Sequence, residues 1–334
     1  MNFSDETIVV QNKVEIVNCL PEIGKQAVVN EIIAGLKDSP KHISPKYFYD
    51  ETGSRLFEEI TKLDEYYPTR TEKAILSSLW DKLALEFDAL NIVELGSGDA
   101  SKIRLLIEQI PKYLLPQITY IPIDISIDAL EWAAQELTLE FPEMDIQGFA
   151  ADFLFDLSMI PKEKKRLFCF LGSTIGNFNP DEAHRFLQML GQEMQSGDFL
   201  LLGMDMVKNV DLIEKAYNDA QGVTDQFNKN ILHVVNRLVG ADFRHEYFDH
   251  LAFYNRNKNR IEMHLRARKE MVVHLKATGE TIRLKSGETI HTENSHKFTS
   301  SDIAKFGQWA GLQTKAVFND RKGYFSLAYY EKEN

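Results

Sequence analysis

Cysteine is scarce in this sequence and long apolar runs are missing, and each shortage excludes a class of protein. The 334 residues include two cysteines, Cys19 and Cys169, which are too few and too far apart for a disulfide framework or a zinc site. No apolar run is long enough to span a bilayer. Residues 1–11 carry Asp5 and Glu6 and lack the basic and apolar regions of a secretory signal. We therefore expect a cytoplasmic protein without a membrane partner.

Positive charge is also in short supply. The chain has 38 lysines and arginines against 50 aspartates and glutamates, which gives a formal net charge of −12. A generally acidic surface disfavours nucleic acid and anionic lipid. The nine histidines show no spacing that is typical of metal ligands. We therefore expect no nucleic-acid partner and no bound metal. We also expect a monomer that acts on a small molecule.

From about residue 90 the sequence alternates short apolar runs with helical patterns. The apolar runs predict strands at residues 91–95, 118–123, 145–150, 166–171 and 198–204. Strands that alternate with helices of this length are typical of βαβ units and a parallel sheet. Near the C-terminus, residues 313–318 and 324–329 flank a turn sequence and predict an antiparallel hairpin.

The remaining segments have other patterns. The stretch before residue 90 is predicted to be helical, with an apolar stripe over residues 22–37 that includes Ile23 and a second helix over 72–85 capped by Thr71. Residues 211–238 predict one long helix, and strand-like alternation such as 260–267 follows it. Residues 206–298 therefore predict an α+β insertion.

These patterns predict an α/β, Rossmann-like sheet domain with a second domain inserted into it. The sheet domain would consist of residues 63–205 and 299–334, and it would end in the antiparallel hairpin. The helical residues 1–62 would join the insertion, residues 206–298, in an α+β domain that binds substrate.

Acidic residues and glycines follow successive predicted strands, at the edge where open parallel sheets bind cofactors. An acidic residue after the second strand can accept hydrogen bonds from both ribose hydroxyls, and glycines let the backbone approach a ligand closely. An aromatic ring after the third strand could cover an adenine. The residues are Glu94, Gly96, Gly98, Asp124, Asp152 and Phe153.

Two features favour S-adenosylmethionine over a dinucleotide at this edge. Asp99 and Ala100 stand where a dinucleotide loop keeps room for the pyrophosphate. A carboxylate at Glu94 suits a cationic ligand, and the sulfonium and amino groups of S-adenosylmethionine are cationic. The pattern is typical of class I methyltransferases. A Rossmann-type dinucleotide oxidoreductase is the alternative from another class.

Longer motifs carry a more specific resemblance. They are residues 47–54 (YFYDETGS), 65–72 (EYYPTRTE), 172–178 (GSTIGNF), 216–224 (AYNDAQGVT), 228–230 (NKN), 260–263 (RIEM) and 293–298 (ENSHKF). From about residue 20 to the C-terminus the chain closely resembles the histidine Nα-methyltransferases of ergothioneine biosynthesis. The resemblance implies trimethylation of the α-amino group of L-histidine to hercynine. Asn294 stands where an apolar residue is expected, which leaves methylation of another amino acid or derivative as an alternative.

The resemblance also implies roles for individual residues on the carboxylate and amino side of the substrate. Asn177 and Tyr217 would hold the carboxylate. Tyr49 and Tyr66 would line the amino-group and imidazole side, with Tyr49 as the catalytic candidate. Asparagine and tyrosine can bind a carboxylate without adding a positive charge that competes with the sulfonium.

On the imidazole side, the resemblance implies that Glu293 and Ser295 bond the two ring nitrogens and that Met263 packs nearby. Glu293 could accept from an N–H, whereas Ser295 could donate or accept. The residues implied at the methyl donor are Gly96, Lys102, Asp124, Asp152 and Phe153, in addition to Glu94 and Gly98 from the strand-end pattern.

Overall fold

The computed structural model describes residues 6–11, 13–20 and 24–333, so the predicted apolar position Ile23 lies outside the described residues. The strands are β1 (Glu6–Gln11), β2 (Val14–Asn18), β3 (Lys41–His42), β4 (Leu90–Leu95), β5 (Ile118–Asp124), β6 (Asp145–Ala150), β7 (Lys165–Phe170), β8 (Phe199–Asp205), β9 (Phe248–Asn255), β10 (Arg260–Ala267), β11 (Met271–Leu275), β12 (Glu280–Leu284), β13 (Thr289–His296), β14 (Gln313–Asn319) and β15 (Phe325–Glu331). The helices are α1 (Lys25–Lys37), α2 (Glu51–Thr61), α3 (Tyr67–Leu76), α4 (Trp80–Leu83), α5 (Ser101–Ile107), α6 (Ile127–Glu140), α7 (Pro180–Glu193), α8 (Val210–Lys215), α9 (Val223–Val239) and α10 (Ser300–Ala310).

Backbone proximity divides the chain into two units. Unit 1 contains Met1–Pro21, Thr71–Met206 and Phe298–Asn334, and unit 2 contains Glu22–Arg70 and Val207–Lys297. The sequence predicted boundaries at residues 62, 205 and 298, whereas the chain passes from one unit to the other after residues 21, 70, 206 and 297. The binding roles predicted for the segments stay predictions. No helix among the described residues is long and apolar enough to cross a membrane.

Unit 1 is built on one sheet with the strand order β1-β2-β6-β5-β4-β7-β8-β15-β14. Strands β2, β6, β5, β4, β7 and β8 run parallel to one another. Strand β1 is antiparallel to β2 at one edge, and β15 and β14 form the antiparallel end at the other. Strand β4 is buried along its whole length, as expected where helices cover both faces of a parallel sheet. The predicted α/β class with a C-terminal antiparallel hairpin is confirmed.

The N-terminal segment differs from its prediction. The sequence predicted helices throughout residues 1–62 and placed them all with the substrate-binding domain, but β1 and β2 are strands that extend the sheet of unit 1. Ile16 of β2 is 1% exposed and pairs with Gly148 of β6. The segment VEIVN is rich in β-branched residues, which favour strands where a sheet edge is available for pairing.

Unit 2 combines helices with an antiparallel sheet. Its main sheet has the order β3-β13-β10-β9, in which β3 alone runs parallel to its neighbour, and β11 and β12 form a separate hairpin. Helix α9 contacts the segment before α2, where the rings of Phe48 and Phe227 stack with centroids 4.5 Å apart. This sheet carries Met263, Glu293 and Ser295, the residues predicted on the imidazole side of the substrate.

Two helix predictions were wrong in their bounds. The predicted helix over 211–238 is split into α8 and α9, because the carboxylate of Asp219 accepts hydrogen bonds from the amides of Val223 and Thr224 and caps a new helix. Thr71 does not cap a helix, since α3 begins at Tyr67. Pro68 lies in the first turn of α3, where its missing N–H is tolerated.

Candidate active site

Two glycines after β4 form a turn against the end of β5. Gly96 and Gly98 have φ values of +73° and +52°, in the left-handed region that favours glycine. The Gly98 amide donates to Oδ2 of Asp124 at 3.1 Å, and the Ser126 amide donates to Oδ1 at 3.0 Å. Burial raises the pKa of Asp124, and these amide bonds oppose the shift. The carboxylate is therefore held in place at the carboxyl edge of the sheet.

Phe153 lies beside the same glycine turn. Its ring packs edge-on against Phe170 and Phe186, with centroids 5.6 and 5.9 Å away. A Cβ atom added to Gly96 would lie 3.6 Å from the Phe153 ring, so the ring and the turn are in close approach. Asp152, the neighbouring residue, accepts a hydrogen bond from the Leu154 amide at 3.0 Å. The structure thus brings together the glycine turn, Asp124 and Phe153, as the sequence predicted.

Glu94 lies inside β4 and is 2% exposed. It accepts a hydrogen bond from the Tyr120 hydroxyl of β5, with 2.5 Å between Oε2 and Oη. Burial raises the pKa of Glu94 to about 8, while the Tyr120 bond and the Lys102 charge act in the opposite direction. A cationic ligand beside this carboxyl group would favour its ionised form. The sequence did not identify Tyr120 as its partner.

Lys102, at the start of α5, pairs with a carboxylate that the sequence had not singled out. Glu72 of α3 has a fully buried side chain, and its Oε2 lies 3.0 Å from the Lys102 ammonium. Its other oxygen accepts a hydrogen bond from the Gly172 amide at 2.8 Å. Glu72 therefore connects α3, α5 and the loop after β7. The signal available in the sequence was its position at the end of the motif over residues 65–72.

Loss of Glu72 is expected to destabilise the protein strongly. The Glu72→Ala variant would leave the Lys102 charge and the Gly172 amide without their buried partner, and breaking such a pair costs about 3–5 kcal/mol. Chemical denaturation should show this decrease in the free energy of unfolding. The control is Glu136→Ala on the exposed surface of α6, where the pair with Arg104 spans 3.8 Å. An equal effect of the two substitutions would contradict the structural role of Glu72.

In unit 2, the imidazole-binding candidates share one face of the antiparallel sheet. Glu293 and Ser295 are two residues apart on β13, so their side chains point to the same side. Met263 of β10 pairs with Glu293 and is 1% exposed. Asn294 points to the other face, where it accepts a hydrogen bond from His291 at 2.9 Å. The departure at Asn294 therefore lies away from Glu293 and Ser295.

Glu293 is a buried carboxyl group with an unfilled capacity to accept hydrogen bonds. It is 9% exposed, and within the described part of the chain no group donates a hydrogen bond to it. Burial raises its pKa to about 7, and the nearby positive charge of Lys297 opposes the rise. Such a carboxylate can accept a hydrogen bond from a ligand N–H.

Three polar side chains meet beside Glu293. The Tyr217 hydroxyl donates to Oγ of Ser295 at 2.7 Å. The Lys297 ammonium donates to the Tyr217 hydroxyl at 3.0 Å and to Ser295 Oγ at 2.8 Å. Tyr217 lies in the break between α8 and α9, the segment that the sequence had placed inside a long helix. Lys297 was not singled out, although it continues the alternation of Glu293 and Ser295.

The aromatic candidates form an edge-to-face cluster in unit 2. Tyr66 contacts Tyr217 and Phe57, with ring centroids 6.2 and 6.3 Å apart. Tyr49, which is 41% exposed, contacts Phe57 and Phe227 at 5.9 and 6.0 Å. Tyr49 and Tyr66 thus both contact Phe57, which the sequence had not singled out, and Tyr217 joins the cluster through Tyr66.

Asn177 belongs to unit 1, whereas the other predicted substrate residues belong to unit 2. It ends a 3-10 turn, Thr174–Asn177, that follows β7. Ser173 before this turn has φ of +58°, and its hydroxyl accepts a hydrogen bond from the Asp205 amide of β8 at 2.9 Å. The turn is thereby tied to the carboxyl end of β8, and the role of Asn177 stays a prediction.

The sheet and its edge define a class of protein. A parallel sheet that ends in an antiparallel hairpin, with a glycine turn after its central strand and an acidic residue ending the next one, is the architecture of class I methyltransferases. Among the described residues, no group of three or more histidines, cysteines and carboxylates is placed to hold a metal ion.

Comparison with known proteins defines the family. The model of histidine-specific, S-adenosylmethionine-dependent methyltransferases matches residues 28–332. The histidine N-alpha-methyltransferase of Mycolicibacterium smegmatis is 40% identical over 91% of this chain and 94% of its own length. The Mycobacterium tuberculosis protein of the same name is 39% identical over 95% of this chain and 98% of its own length. The chain belongs to the family of histidine-specific, S-adenosylmethionine-dependent methyltransferases.

A longer relative is also similar. Ergothioneine biosynthesis protein 1 of Neurospora crassa is 30% identical over 83% of this chain, and the match covers 32% of that protein. The family assignment disfavours the dinucleotide oxidoreductase that the sequence had left as an alternative.

Proposed function

We propose that this protein transfers three methyl groups from S-adenosylmethionine to the α-amino nitrogen of L-histidine and releases hercynine. The acidic net charge of −12 supports action on a small molecule rather than on nucleic acid or a lipid surface. We further expect a cytoplasmic monomer, as predicted from the sequence.

The observation that carries the choice of histidine is the pairing of Glu293 with Ser295. Both side chains are buried and point to one side of the sheet, and the Glu293 carboxylate accepts no hydrogen bond from the described residues. One ring nitrogen of a neutral imidazole donates a hydrogen bond and the other accepts one. A buried site of this kind rejects analogues that leave one of its polar groups unpaired.

The residues of unit 1 fit S-adenosylmethionine. Asp124 would accept hydrogen bonds from the ribose hydroxyls, and Phe153 would cover the adenine ring beside Gly96 and Gly98. Asp152 would bond the adenine amino group, and Glu94 and Lys102 would lie toward the charged methionine end. The glycine turn leaves the space that this requires, because a Cβ at Gly98 meets no atom within 4 Å. When bound, S-adenosylmethionine supplies a methyl group on a sulfonium leaving group.

The chain's contribution to the chemistry is alignment. In each transfer the amine first gives up a proton to solvent, and its lone pair then forms the new N–C bond as the C–S bond breaks and S-adenosylhomocysteine leaves. Such a displacement depends on the geometry of nucleophile and methyl group more than on a strong base. Tyr49 and Tyr66 would line the amino group, and Asn177 would donate to the carboxylate. Tyr217, the other carboxylate candidate, gives its one proton to Ser295, so it would lie beside the carboxylate without donating to it. Met263 would pack against the substrate near the imidazole.

The direct test is a product assay. The purified protein is incubated with S-adenosylmethionine and each of the twenty amino acids, and mass spectrometry counts the added methyl groups. We expect a trimethylated product from histidine alone. A product from another amino acid, or no product from histidine, would contradict the proposed substrate.

A further inference from the structure

Lys297 is a buried cation next to the candidate imidazole site. It is 2% exposed, and its ammonium lies 4.9 Å from the centroid of the Tyr217 ring. Its backbone amide donates to the Asn259 carbonyl at 2.7 Å, which holds the residue against the neighbouring strand turn. A buried ammonium group destabilises the folded protein unless hydrogen bonds and favourable electrostatic contacts compensate for its lost hydration.

The hydrogen bonds of Lys297 determine what Ser295 can do. A serine hydroxyl has one proton to donate and two lone pairs to accept with. The Tyr217 hydroxyl and the Lys297 ammonium both donate to Ser295 Oγ, at 2.7 and 2.8 Å, so both lone pairs are occupied. The remaining capacity of Ser295 is its own proton.

We infer that Lys297 is a positioning residue for substrate specificity, because it fixes Ser295 as a hydrogen-bond donor and thereby selects a neutral imidazole in a single tautomer. Lys297 also donates to the Tyr217 hydroxyl, which turns the phenol proton toward Ser295. Glu293 supplies the acceptor, and Ser295 supplies the donor. This inference rests on the proposed function of Glu293 and Ser295.

The donor and acceptor pair makes the site selective among aromatic rings. A neutral imidazole satisfies both residues. An imidazolium has two N–H groups and would direct one of them at the filled Ser295 oxygen, close to the Lys297 charge. The indole of tryptophan has one N–H and no ring acceptor, so the Ser295 proton would stay unpaired, and an unpaired buried donor is costly.

The first measurement is the kinetics of Lys297→Met and Ser295→Ala, singly and together. We expect Lys297→Met to raise KM for histidine about 30-fold, because the imidazole loses a serine that is fixed as its hydrogen-bond donor. Its kcat and the dissociation constant for S-adenosylmethionine should change less than about threefold. Because Lys297 acts through Ser295, the KM of the double variant should be little higher than the KM of whichever single variant has the larger defect.

Multiplicative effects in the double variant, or an unchanged KM in Lys297→Met, would overturn the inference. The matched control is Lys41→Met. Lys41 lies on β3 of the same sheet, is half-buried and forms an ion pair with Glu288. This control should retain the KM of the unaltered protein.

The second measurement does not depend on turnover. Histidine labelled with nitrogen-15 in the imidazole is bound to the protein with S-adenosylhomocysteine, which has no methyl group to transfer, and the NMR spectrum reports the protonation of each nitrogen. We expect one protonated and one bare nitrogen in the unaltered protein. In Lys297→Met, Ser295 regains a free lone pair and the two nitrogens should lose this fixed assignment. Tyr217→Phe should have the same effect while Lys297 is retained.

The outcomes separate the two proposals. Bound histidine with both nitrogens protonated, or a fixed tautomer that persists in both Lys297→Met and Tyr217→Phe, would overturn the role of Lys297 alone. Absence of histidine binding to the unaltered protein would overturn the proposed function and this inference with it. Should Lys297→Met fail to fold, Tyr217→Phe decides the question.

Discussion

The Asp124→Asn variant is expected to bind S-adenosylmethionine about 100-fold more weakly than the unaltered protein. The amides of Gly98 and Ser126 hold the Asp124 carboxylate at the end of β5, where it would accept from two ribose hydroxyls. An amide side chain carries no charge and has one oxygen where the carboxylate has two. The lost charge-assisted hydrogen bonds contribute about 1.5–3 kcal/mol each. Titration calorimetry with S-adenosylmethionine measures the change.

The control for Asp124 is Asp128→Asn, four residues further on. Asp128 lies in the first turn of α6 and is exposed, so its substitution removes the same charge without touching the glycine turn. An unchanged dissociation constant in Asp124→Asn would exclude Asp124 from the donor site. An equal loss in Asp128→Asn would mean that net charge, rather than contact, explains the effect.

Glu293→Gln is expected to lower kcat/KM for histidine about 100-fold, mainly through KM, while it stabilises the protein. The substitution replaces a charged acceptor with a neutral group, which weakens the hydrogen bond to the imidazole N–H. Burial raises the pKa of Glu293 from its ordinary value to about 7. Ionisation of the folded protein is therefore unfavourable, and the glutamine variant avoids that cost.

The sign of the pH dependence follows from this raised pKa. A carboxyl group whose pKa is higher in the folded state favours folding at low pH, and this contribution is lost as the pH rises through about 7. At pH 8 we expect Glu293→Gln to raise the free energy of unfolding by about 3 kcal/mol, since each pKa unit corresponds to about 1.4 kcal/mol. Chemical denaturation at pH 5 and pH 8 should show a clearly larger gain at the higher pH.

Activity should depend on pH in the opposite direction. In the unaltered protein kcat/KM for histidine should fall as the pH decreases through about 7, because the protonated Glu293 carboxyl can no longer serve as a charged acceptor. In Glu293→Gln the decrease near pH 7 should be absent, whereas the ionisation of free histidine affects both proteins equally. Glu246→Gln, an exposed substitution in unit 2, is the control. A profile shared by all three proteins would exclude Glu293 from the substrate site.

Sequence patterns predicted the parallel sheet and the carboxyl edge of its strands well. The apolar runs predicted the strands β4 to β8, and the strand-end residues Gly96, Asp124 and Phe153 come together as expected. This succeeds because a parallel sheet brings the carboxyl ends of neighbouring strands to one edge. Position along the chain then fixes position in space.

Contacts between segments that are distant in the chain could not be predicted from the sequence. Glu72 reaches Lys102 and Gly172 across 30 and 100 residues, and no local pattern marks such a pairing. Strand β2 was predicted as helix because a segment of five residues is too short to show a clear strand pattern. It is a strand because it pairs with β6. The helix over 211–238 was predicted as continuous because an aspartate such as Asp219 is equally common on an exposed helix surface. Only the structure shows that its carboxylate caps a new helix.

The sequence by itself determined the fold class and the family, because strand alternation and ordered motifs are local properties of the chain. It also supplied the candidate substrate residues, whose roles stay predictions. The tertiary structure alone decided how those residues can act. Ser295 is able to donate or accept as an isolated side chain, and it becomes a donor once Tyr217, 78 residues earlier, and Lys297 fill its lone pairs. Likewise Glu293 is an ordinary carboxyl group in the sequence, and burial is what raises its pKa to about 7.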